Sequence, residues 1–186
     1  MAFWNESGLE PKRAYRWRIQ LGGLADEGYL WYAKKVGKPS FSITEHGHKY
    51  LNHTFYYPGK VEWATISLTL VDPVDPDVGA TIADLMQQCG YNVPGSAEVM
   101  QTVSKGASVG ALGVVFIEQI DSAGDPIETW TLTNAWIQEA KWGELDYDGE
   151  DLTMIDLTLR YDYATIKTSH DSAAGGGNTF FSTTGV

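Results

Sequence analysis

The sequence predicts a mainly β protein: two packed antiparallel sheets, as a sandwich or partly open barrel, with one flanking α-helix. Three observations support this fold class. Several segments alternate polar and apolar residues with a period of two, turn residues separate them at short intervals, and one segment has clear helical spacing. Antiparallel sheets that bury one face and expose the other produce this combination.

The clearest strand is predicted over residues 153–165, because apolar and polar side chains alternate along all of it. Each polar/apolar alternation of this kind places one row of side chains in the core and the other in water. By alternation or by β-prone composition we also predict strands over residues 13–21, 29–35, 41–45, 50–57, 61–71, 114–120, 127–132 and 136–142.

One helix is predicted after residue 75. Asp75 is a suitable N-cap, Pro76 suits the first helical position, and Gly90 is a typical stop. The apolar residues between them recur at helical spacing and end at Cys89, which we interpret as a core thiol. Residues 91–111 are ambiguous between a short helix and a loop.

Composition predicts one domain over residues 1–167 and a Gly/Ser/Thr-rich, mobile tail over residues 168–186. Cys89 is the single cysteine of the 186 residues, so the chain forms no internal disulfide. The sequence begins without a secretory signal and has no apolar run of membrane-spanning length. We therefore expect a protein that is soluble and intracellular when synthesised.

Charge is unevenly distributed. Residues 1–60 carry a net charge of +4 and residues 61–186 carry −15, which gives −11 for the chain. An acidic chain repels phosphate groups, so this balance disfavours binding of nucleic acid. The asymmetry is compatible with a basic region on one copy meeting an acidic region on another, and equally with a merely solvated surface.

The sequence offers one metal-like cluster. His46 and His48 would share a strand face, His53 could join them, and Glu45 could supply an oxygen ligand. Gly47 suggests a turn that would separate these ligands, so exposed loop histidines are the favoured interpretation. A small β-sandwich metalloenzyme remains the alternative.

Other catalytic or cofactor motifs are weak. The carboxylates in the turn after residue 143 lack the spacing and terminal Glu of a calcium loop; they are Asp146, Asp148, Glu150 and Asp151. The glycine-rich segments 22–28 and 106–113 match neither phosphate-loop nor dinucleotide spacing, and we expect residues 109–113 to turn or to let backbones pack closely. We predict no catalytic residue, no metal and no cofactor.

The segment KYLNHTFYYPGKVEW, residues 49–63, is rich in aromatic residues and contains Pro58-Gly59, which predicts a turn. It is either a core hairpin or a projecting arm that another molecule covers. Large apolar residues occur at both odd and even positions, which disfavours a core strand. An exposed segment of this kind is typical of an interface.

Two of the predicted strands each carry a row of polar residues on one face. Thr65, Ser67 and Thr69 form one row, and a second row contains Asp156, Thr158, Arg160 and Asp162. The common interpretation is the wet side of a sheet. The sharper one is a sheet that lines a wet channel between several copies.

These residues resemble a known family. Residues 38–77 read KPSFSITEHGHKYLNHTFYYPGKVEWATISLTLVDPVDPD, and residues 110–164 contain WTLTNAW and LRYDYA. A proline-flanked strand, a Tyr/Asn-bearing arm, a PGK-x-x-W turn and an Asp-rich helix start, in this order, resemble the tail tube proteins of contractile-tailed bacteriophages. The resemblance covers roughly residues 10–167.

The resemblance implies a structural, non-enzymatic protein that forms hexameric rings stacked into a tube. One sheet of each subunit would join a continuous β-barrel around a lumen through which genomic DNA passes without specific binding. The implied partners are the tail sheath, a baseplate or tube initiator, a tape measure and a tail terminator, with no membrane. The implied location is the virion tail, after assembly in the host cytoplasm.

The resemblance also suggests roles for two surfaces. The lumen face would contain Asp156, Thr158, Arg160 and Asp162. The inter-subunit arm would contain Tyr50, Asn52, Phe55, Tyr56, Tyr57, Pro58 and Lys60. Inner-tube proteins of non-phage contractile injection particles and of type VI secretion systems are related, so a non-phage particle is an alternative source.

Overall fold

The computed structural model describes residues 11–24, 28–96, 100–169 and 179–182. These residues form eleven strands and two helices. In chain order they are β1 Trp17–Leu21, β2 Ala33–Val36, β3 Phe41–Tyr50, β4 His53–Trp63, β5 Ile66–Val71, α1 Val78–Gln88, α2 Lys105–Leu112, β6 Val115–Ile120, β7 Pro126–Thr133, β8 Trp136–Trp142, β9 Met154–Arg160, β10 Tyr163–Thr168 and β11 Thr179–Phe180.

The strands form three antiparallel sheets. A five-stranded sheet has the order β1-β6-β7-β10-β11, a four-stranded sheet has the order β2-β5-β9-β8, and β3 pairs with β4 as a separate two-stranded hairpin. The prediction of a mainly β protein with two antiparallel sheets is thereby confirmed. The hairpin is a third, two-stranded sheet that the predicted sandwich did not contain.

The core contains the inward rows of both larger sheets. In the four-stranded sheet Leu68 pairs with Leu157, and both are buried. Ile19 and Leu132 supply matching rows in the five-stranded sheet and belong to the same apolar cluster. Each such side chain stabilises the fold by about 2 kcal/mol through loss of apolar surface to water.

The predicted strand over residues 153–165 is wrong in one respect, because it is two strands. β9 belongs to the four-stranded sheet and β10 to the five-stranded sheet, and Tyr161 and Asp162 separate them. Tyr161 is buried at this corner. The alternation continues through the break, because both strands use the same core. The predicted strand over residues 61–71 is likewise interrupted, at residues 64–65.

The predicted helix is confirmed as α1, with a corrected start. Asp77, rather than Asp75, is the N-cap, and its Oδ1 accepts a hydrogen bond of 2.8 Å from the backbone N–H of Ala80. Pro76 precedes the helix. Gly90 follows the last turn with φ of +99°, a conformation that glycine adopts without steric cost.

A second helix, α2, occupies part of the ambiguous segment. Its N-cap is Ser104, whose hydroxyl accepts a hydrogen bond of 3.2 Å from the N–H of Ala107. Glycines inside this helix lower its intrinsic propensity, which explains why the pattern alone did not define it. A Cβ at Gly23 would lie 2.2 Å from the carbonyl oxygen of Ala111, so the close backbone packing expected for residues 109–113 is confirmed at Ala111.

The described part of the predicted tail is residues 168–169 and 179–182. Thr179–Phe180 forms β11 and pairs with β10. Residues 170–178 and 183–186 lie outside the described residues, and for them mobility stays a prediction. Among the described helices, none is long and apolar enough to cross a membrane.

Candidate assembly surfaces

The hairpin formed by β3 and β4 is exposed along almost its whole length. Its two strands pair from Phe41↔Trp63 at the base to Tyr50↔His53 at the tip, and every residue of β3 is exposed. Leu51 and Asn52 form the turn, with Leu51 at φ of +53°. A two-stranded hairpin has little stability of its own in water, so a projecting one benefits from contact with a partner.

Pro58 and Gly59 do not form the predicted turn. They lie inside β4 at a β-bulge, where the register shifts between Ile43 and Glu45. The Oγ1 of Thr44 accepts a hydrogen bond of 2.9 Å from the N–H of Lys60. A Cβ at Gly59 would lie 2.4 Å from that Oγ1, so this position requires glycine. Bulges tolerate proline because the ladder is already interrupted.

Register separates the hairpin's side chains into two faces. One face carries six rings, since each of three β3 residues pairs directly with a ring on β4; the pairs are His46↔Tyr57, His48↔Phe55 and Tyr50↔His53. On the other face Tyr56 lies opposite Gly47, near enough to contact a Cβ placed there. Both faces therefore expose large rings, which explains the irregular polarity of this stretch.

The predicted arm residues are all exposed and lie on this hairpin. The exposed fraction reaches 65% for Tyr56, and Tyr50, Phe55 and Tyr57 are similarly open. We call residues 46–60 the arm. A folded chain that leaves this many aromatic rings in water on one element has the surface character of a binding site.

The histidines do not define a metal site. Gly47 lies within β3, so the predicted turn there is wrong and His46 and His48 do share a face. Within the described ranges, no group of three or more His, Cys, Asp or Glu side chains converges on one point.

The carboxylates of Asp146 and Asp148 lie in the exposed loop between β8 and β9, where Asp146 accepts a hydrogen bond of 3.1 Å from the N–H of Asp148.

The outer side of the four-stranded sheet is polar, and we call it the polar face. Asp156 accepts a hydrogen bond of 2.6 Å from the hydroxyl of Thr69 on the neighbouring strand. Lys141 on β8 pairs in register with Asp156 and forms an ion pair of 3.1 Å with Glu139. Carboxylates and cations alternate here, so most of the face is hydrated.

Three of the four predicted lumen residues lie on β9, and the fourth does not. Asp156, Thr158 and Arg160 belong to the strand, whereas Asp162 lies beyond its end at the corner between the sheets. There Asp162 accepts hydrogen bonds from the Nζ of Lys105, at 2.6 Å to the nearer oxygen, and from Asn134. These bonds hold the pKa of Asp162 below its usual range.

An ion cluster around the buried carboxylate of Glu128, not foreseen from the sequence, holds the segment that leads into the hairpin. Glu128 on β7 accepts hydrogen bonds from Lys12, from Lys38 at 2.6 Å and from the indole N–H of Trp130 at 2.6 Å. Burial by itself raises the pKa of Glu128, but these hydrogen bonds and the charge of Lys38 outweigh it and lower the pKa to about 2.

The sequence did contain a signal for this cluster. Glu128, Trp130 and Leu132 form the inward row of β7, so a charged residue stands where the alternation predicts an apolar one. Buried carboxylates require partners, and Lys38 lies only three residues before β3. The cluster thus ties the segment that leads into the hairpin to the five-stranded sheet.

Solved structures share this fold, although no protein-family model and no curated sequence matches the chain. A chain of the tube-terminating cap of the anti-feeding prophage has a TM-score of 0.63 at 17% identity, covering 90% of this chain and 99% of its own. A chain of the baseplate of that prophage has a TM-score of 0.61 at 14% identity, covering 85% and 96%.

A third structure extends the comparison to another particle. A chain of the sheath–tube complex of PVC, an extracellular contractile injection system in its extended state, has a TM-score of 0.58 at 18% identity. It covers 85% of this chain and 92% of its own length. The fold is therefore one found in contractile injection systems, and the resemblance to contractile-tail proteins is confirmed at the level of the fold.

Proposed function

We propose that this chain is the structural subunit of the inner tube of a contractile tail or tail-like particle. Copies would form hexameric rings, and the rings would stack into a tube inside a sheath. The observation that carries the proposal is the exposed aromatic arm on a sandwich whose fold is found in the cap, baseplate and sheath–tube complex of such particles.

The arm supplies the contact between copies. Its rings lie on both faces of the hairpin, so a neighbour can cover either face or both. Tyrosine and phenylalanine bury a large area with few rotatable bonds, which favours them in interfaces. The Glu128 cluster fixes the segment before the hairpin, so the arm is presented at a defined angle to the sandwich.

The four-stranded sheet supplies the lumen wall. Its edge strands are β2 and β8, and joining β8 of one copy to β2 of the next would continue the sheet around a ring. Closure of this kind removes exposed strand edges, which otherwise promote uncontrolled pairing. The polar face, with Asp156, Thr158 and Arg160, would then point into the lumen.

Electrostatics favours passage of DNA over binding. The chain carries a net charge of −11, so a tube built from many copies is strongly acidic as a whole, while carboxylates and cations alternate on the polar face itself. The overall negative charge repels phosphates and disfavours adhesion of DNA as it moves through. The proposed partners outside the tube are a sheath, a baseplate, a tape measure and a terminator.

Negative-stain microscopy of the purified chain, together with sedimentation velocity, tests tube formation. We expect rings or tubes whose abundance rises with protein concentration. The double variant Phe55→Ser, Tyr56→Ser removes one ring from each face of the arm and should give a folded monomer that does not assemble. Tyr147→Ser is the matched control, because Tyr147 is fully exposed on the β8–β9 loop.

The outcome that contradicts the proposal is equally specific. If the unmodified chain stays monomeric at high concentration and also in the presence of a particle's baseplate, it is not a tube subunit. If the double variant assembles as well as the control, the arm is not the contact between copies.

Maleimide labelling tests the lumen wall. Asp156→Cys should react with a small maleimide in both monomer and tube, because Asp156 is exposed. A bulky polyethylene-glycol maleimide should react with the monomer but far more slowly with the tube interior. Equal reaction of the bulky reagent with tube and monomer would place the polar face outside. The native Cys89 is buried and serves as the internal background.

The particle that contains this subunit is either a bacteriophage tail or a non-phage injection particle. A bacteriophage tail delivers a genome, whereas a non-phage injection particle does not. Nuclease-protected DNA in purified particles would identify a phage tail, with assembly in the host cytoplasm and host-cell entry as its context. Particles without DNA would identify an injection system.

A further inference from the structure

An apolar groove lies where the hairpin base meets the five-stranded sheet, and we call it the base groove. It has a volume of about 370 Å³ and is lined by Phe41, Val61, Trp63, Tyr163, Phe181 and Ser182. Residues 179–182, which we call the C-terminal segment, therefore form one wall of a groove whose other walls are contributed by β3, β4 and β10.

The C-terminal segment binds the groove in two ways. Its backbone pairs with the edge of β10, with Phe180 opposite Ile166 and Thr179 opposite Lys167. The ring of Phe181 contacts two hairpin-base rings, with centroids 5.8 Å from Phe41 and 5.6 Å from Trp63. Addition of a strand together with an aromatic anchor is a recognised way for an extended peptide to bind a protein.

The contact within one copy is slight. Among the described residues of this segment, Thr179 and Phe180 pair with β10, and Phe180 and Phe181 remain 44% and 51% exposed. Phe181 adopts φ of +60°, which is unfavourable for a residue with a Cβ. A short, half-exposed strand end opens easily, because few contacts oppose its release.

We propose that the base groove binds the C-terminal segment of a second copy, so that neighbouring subunits are linked by exchange of this strand. The exchanged segment makes the same contacts in the neighbour's groove as in its own. Exchange of identical elements therefore costs little free energy and needs no new complementary surface.

The length of the linker before the C-terminal segment, and the position of the groove next to the arm, both favour a second copy as the partner. Nine residues, 170–178, separate Ser169 from Thr179 and can span at most about 30 Å. A linker of this reach allows the segment to leave its own groove and extend to a copy in direct contact. The groove also begins at the hairpin base, next to the arm through which copies are proposed to meet.

The inference deepens the proposed function, since it takes the neighbour in the tube as the second copy. Strand exchange covers the β10 edge of one subunit with another subunit's chain, and it replaces contacts within one copy by the same contacts between copies. Each subunit would give one segment and receive one, which suits a ring or a stack of rings.

Disulfide trapping between two single-cysteine additions tests the exchange. Val61 and Ser182 both line the groove and both are exposed, so Val61→Cys and Ser182→Cys should not impair folding. The two full-length variants are mixed, allowed to assemble, and oxidised. We expect a disulfide-linked heterodimer at several times the yield given by Tyr147→Cys mixed with Ser182→Cys, the matched control.

Each result decides the question. A heterodimer no more abundant than in the control overturns the exchange, as does a doubly substituted chain that forms only an internal disulfide in its assembled state. Adding Phe181→Ala to the Ser182→Cys variant should reduce the heterodimer severalfold, because the aromatic anchor is lost. Circular dichroism confirms that each variant remains folded.

The result also separates this inference from the proposed function. If rings or tubes form without the heterodimer, the chain is a tube subunit and the strand exchange is wrong. If the heterodimer forms only in small oligomers, without rings or tubes, the strand exchange is correct and the chain is not a tube subunit.

Discussion

Two strand pairs in this protein differ sharply in how they relate to water. β5 pairs with β9 inside the four-stranded sheet, and Ile66, Leu68 and Leu70 on β5 are almost completely buried. The pairing of β3 with β4 extends over more residues than that of β5 with β9, yet every residue of β3 is exposed. The first pair stabilises the subunit, whereas the second leaves its aromatic surface free for other molecules.

This difference shows that aromatic and apolar content alone does not identify a core. The β5–β9 pair has strict alternation, so one row is apolar and the other is polar. The hairpin has rings on both faces and no second sheet covering either of them within the described chain. Mutations in the two regions should therefore affect different properties.

The largest loss of stability should come from Leu157→Ala. Leu157 is 1% exposed in the centre of β9, and its truncation leaves a cavity that the surrounding sheets cannot fill. We expect the free energy of unfolding to fall by about 4 kcal/mol. Urea denaturation followed by tryptophan fluorescence measures it. A loss below about 1 kcal/mol would show that this sheet is not part of a tightly packed core.

The next largest effect should come from Glu128→Gln, which removes the charge from the buried cluster. The pKa of Glu128 is lowered from 4.5 to about 2, which corresponds to a contribution of about 3 kcal/mol near neutral pH. We expect the variant to lose a large part of this amount in urea denaturation at pH 7, because the ion pairs are lost and an amide NH2, which donates, replaces one of the two carboxylate oxygens that accept hydrogen bonds.

The stabilisation lost in Glu128→Gln should also depend on pH. Because the pKa of Glu128 is lower in the folded state, its contribution is present above about pH 4.5 and is lost as the pH falls towards 2. The difference in unfolding free energy between the unmodified chain and Glu128→Gln should therefore shrink between pH 6 and pH 2.5. A difference that stays constant over this range would contradict the role of the charge.

A smaller effect is expected for Asp162→Asn at the corner between the two sheets. Its ion pair with Lys105 is largely solvent-exposed, so we expect a loss of about 0.5–1 kcal/mol that high salt reduces. Lys105→Met should have a similar effect, and the double variant should lose less than the sum. Strict additivity in this double-mutant cycle would show that the pair is not coupled.

The smallest effect on stability should come from Tyr56→Ala in the arm. Tyr56 is 65% exposed, so the unfolding free energy of the monomer should change by less than about 0.5 kcal/mol. Assembly measured by sedimentation velocity should nevertheless weaken strongly. A variant that is clearly destabilised as a monomer would show that the arm also supports the fold and would remove the contrast with β9.

The sequence determined the features that depend on local periodicity. Alternation with a period of two gave most of the strands, and apolar spacing with a following glycine gave α1, because neighbouring residues settle which side chains share a face. The aromatic character of the arm was also readable, since it does not depend on where the rest of the chain lies. The polar row on β9 was readable for the same reason.

Only the tertiary structure decided the features that depend on distant residues. The strand change at Tyr161 and Asp162 leaves the alternation intact, so only pairing with β5 and β7 reveals it. Pro58 and Gly59 read locally as a turn, but pairing with β3 across a bulge makes them part of a strand. The bonds of Asp162 to Lys105, of Glu128 to Lys38, and of the C-terminal segment to β10 join residues far apart in sequence. Local pattern records which residues prefer burial, whereas long-range packing decides which of them meet.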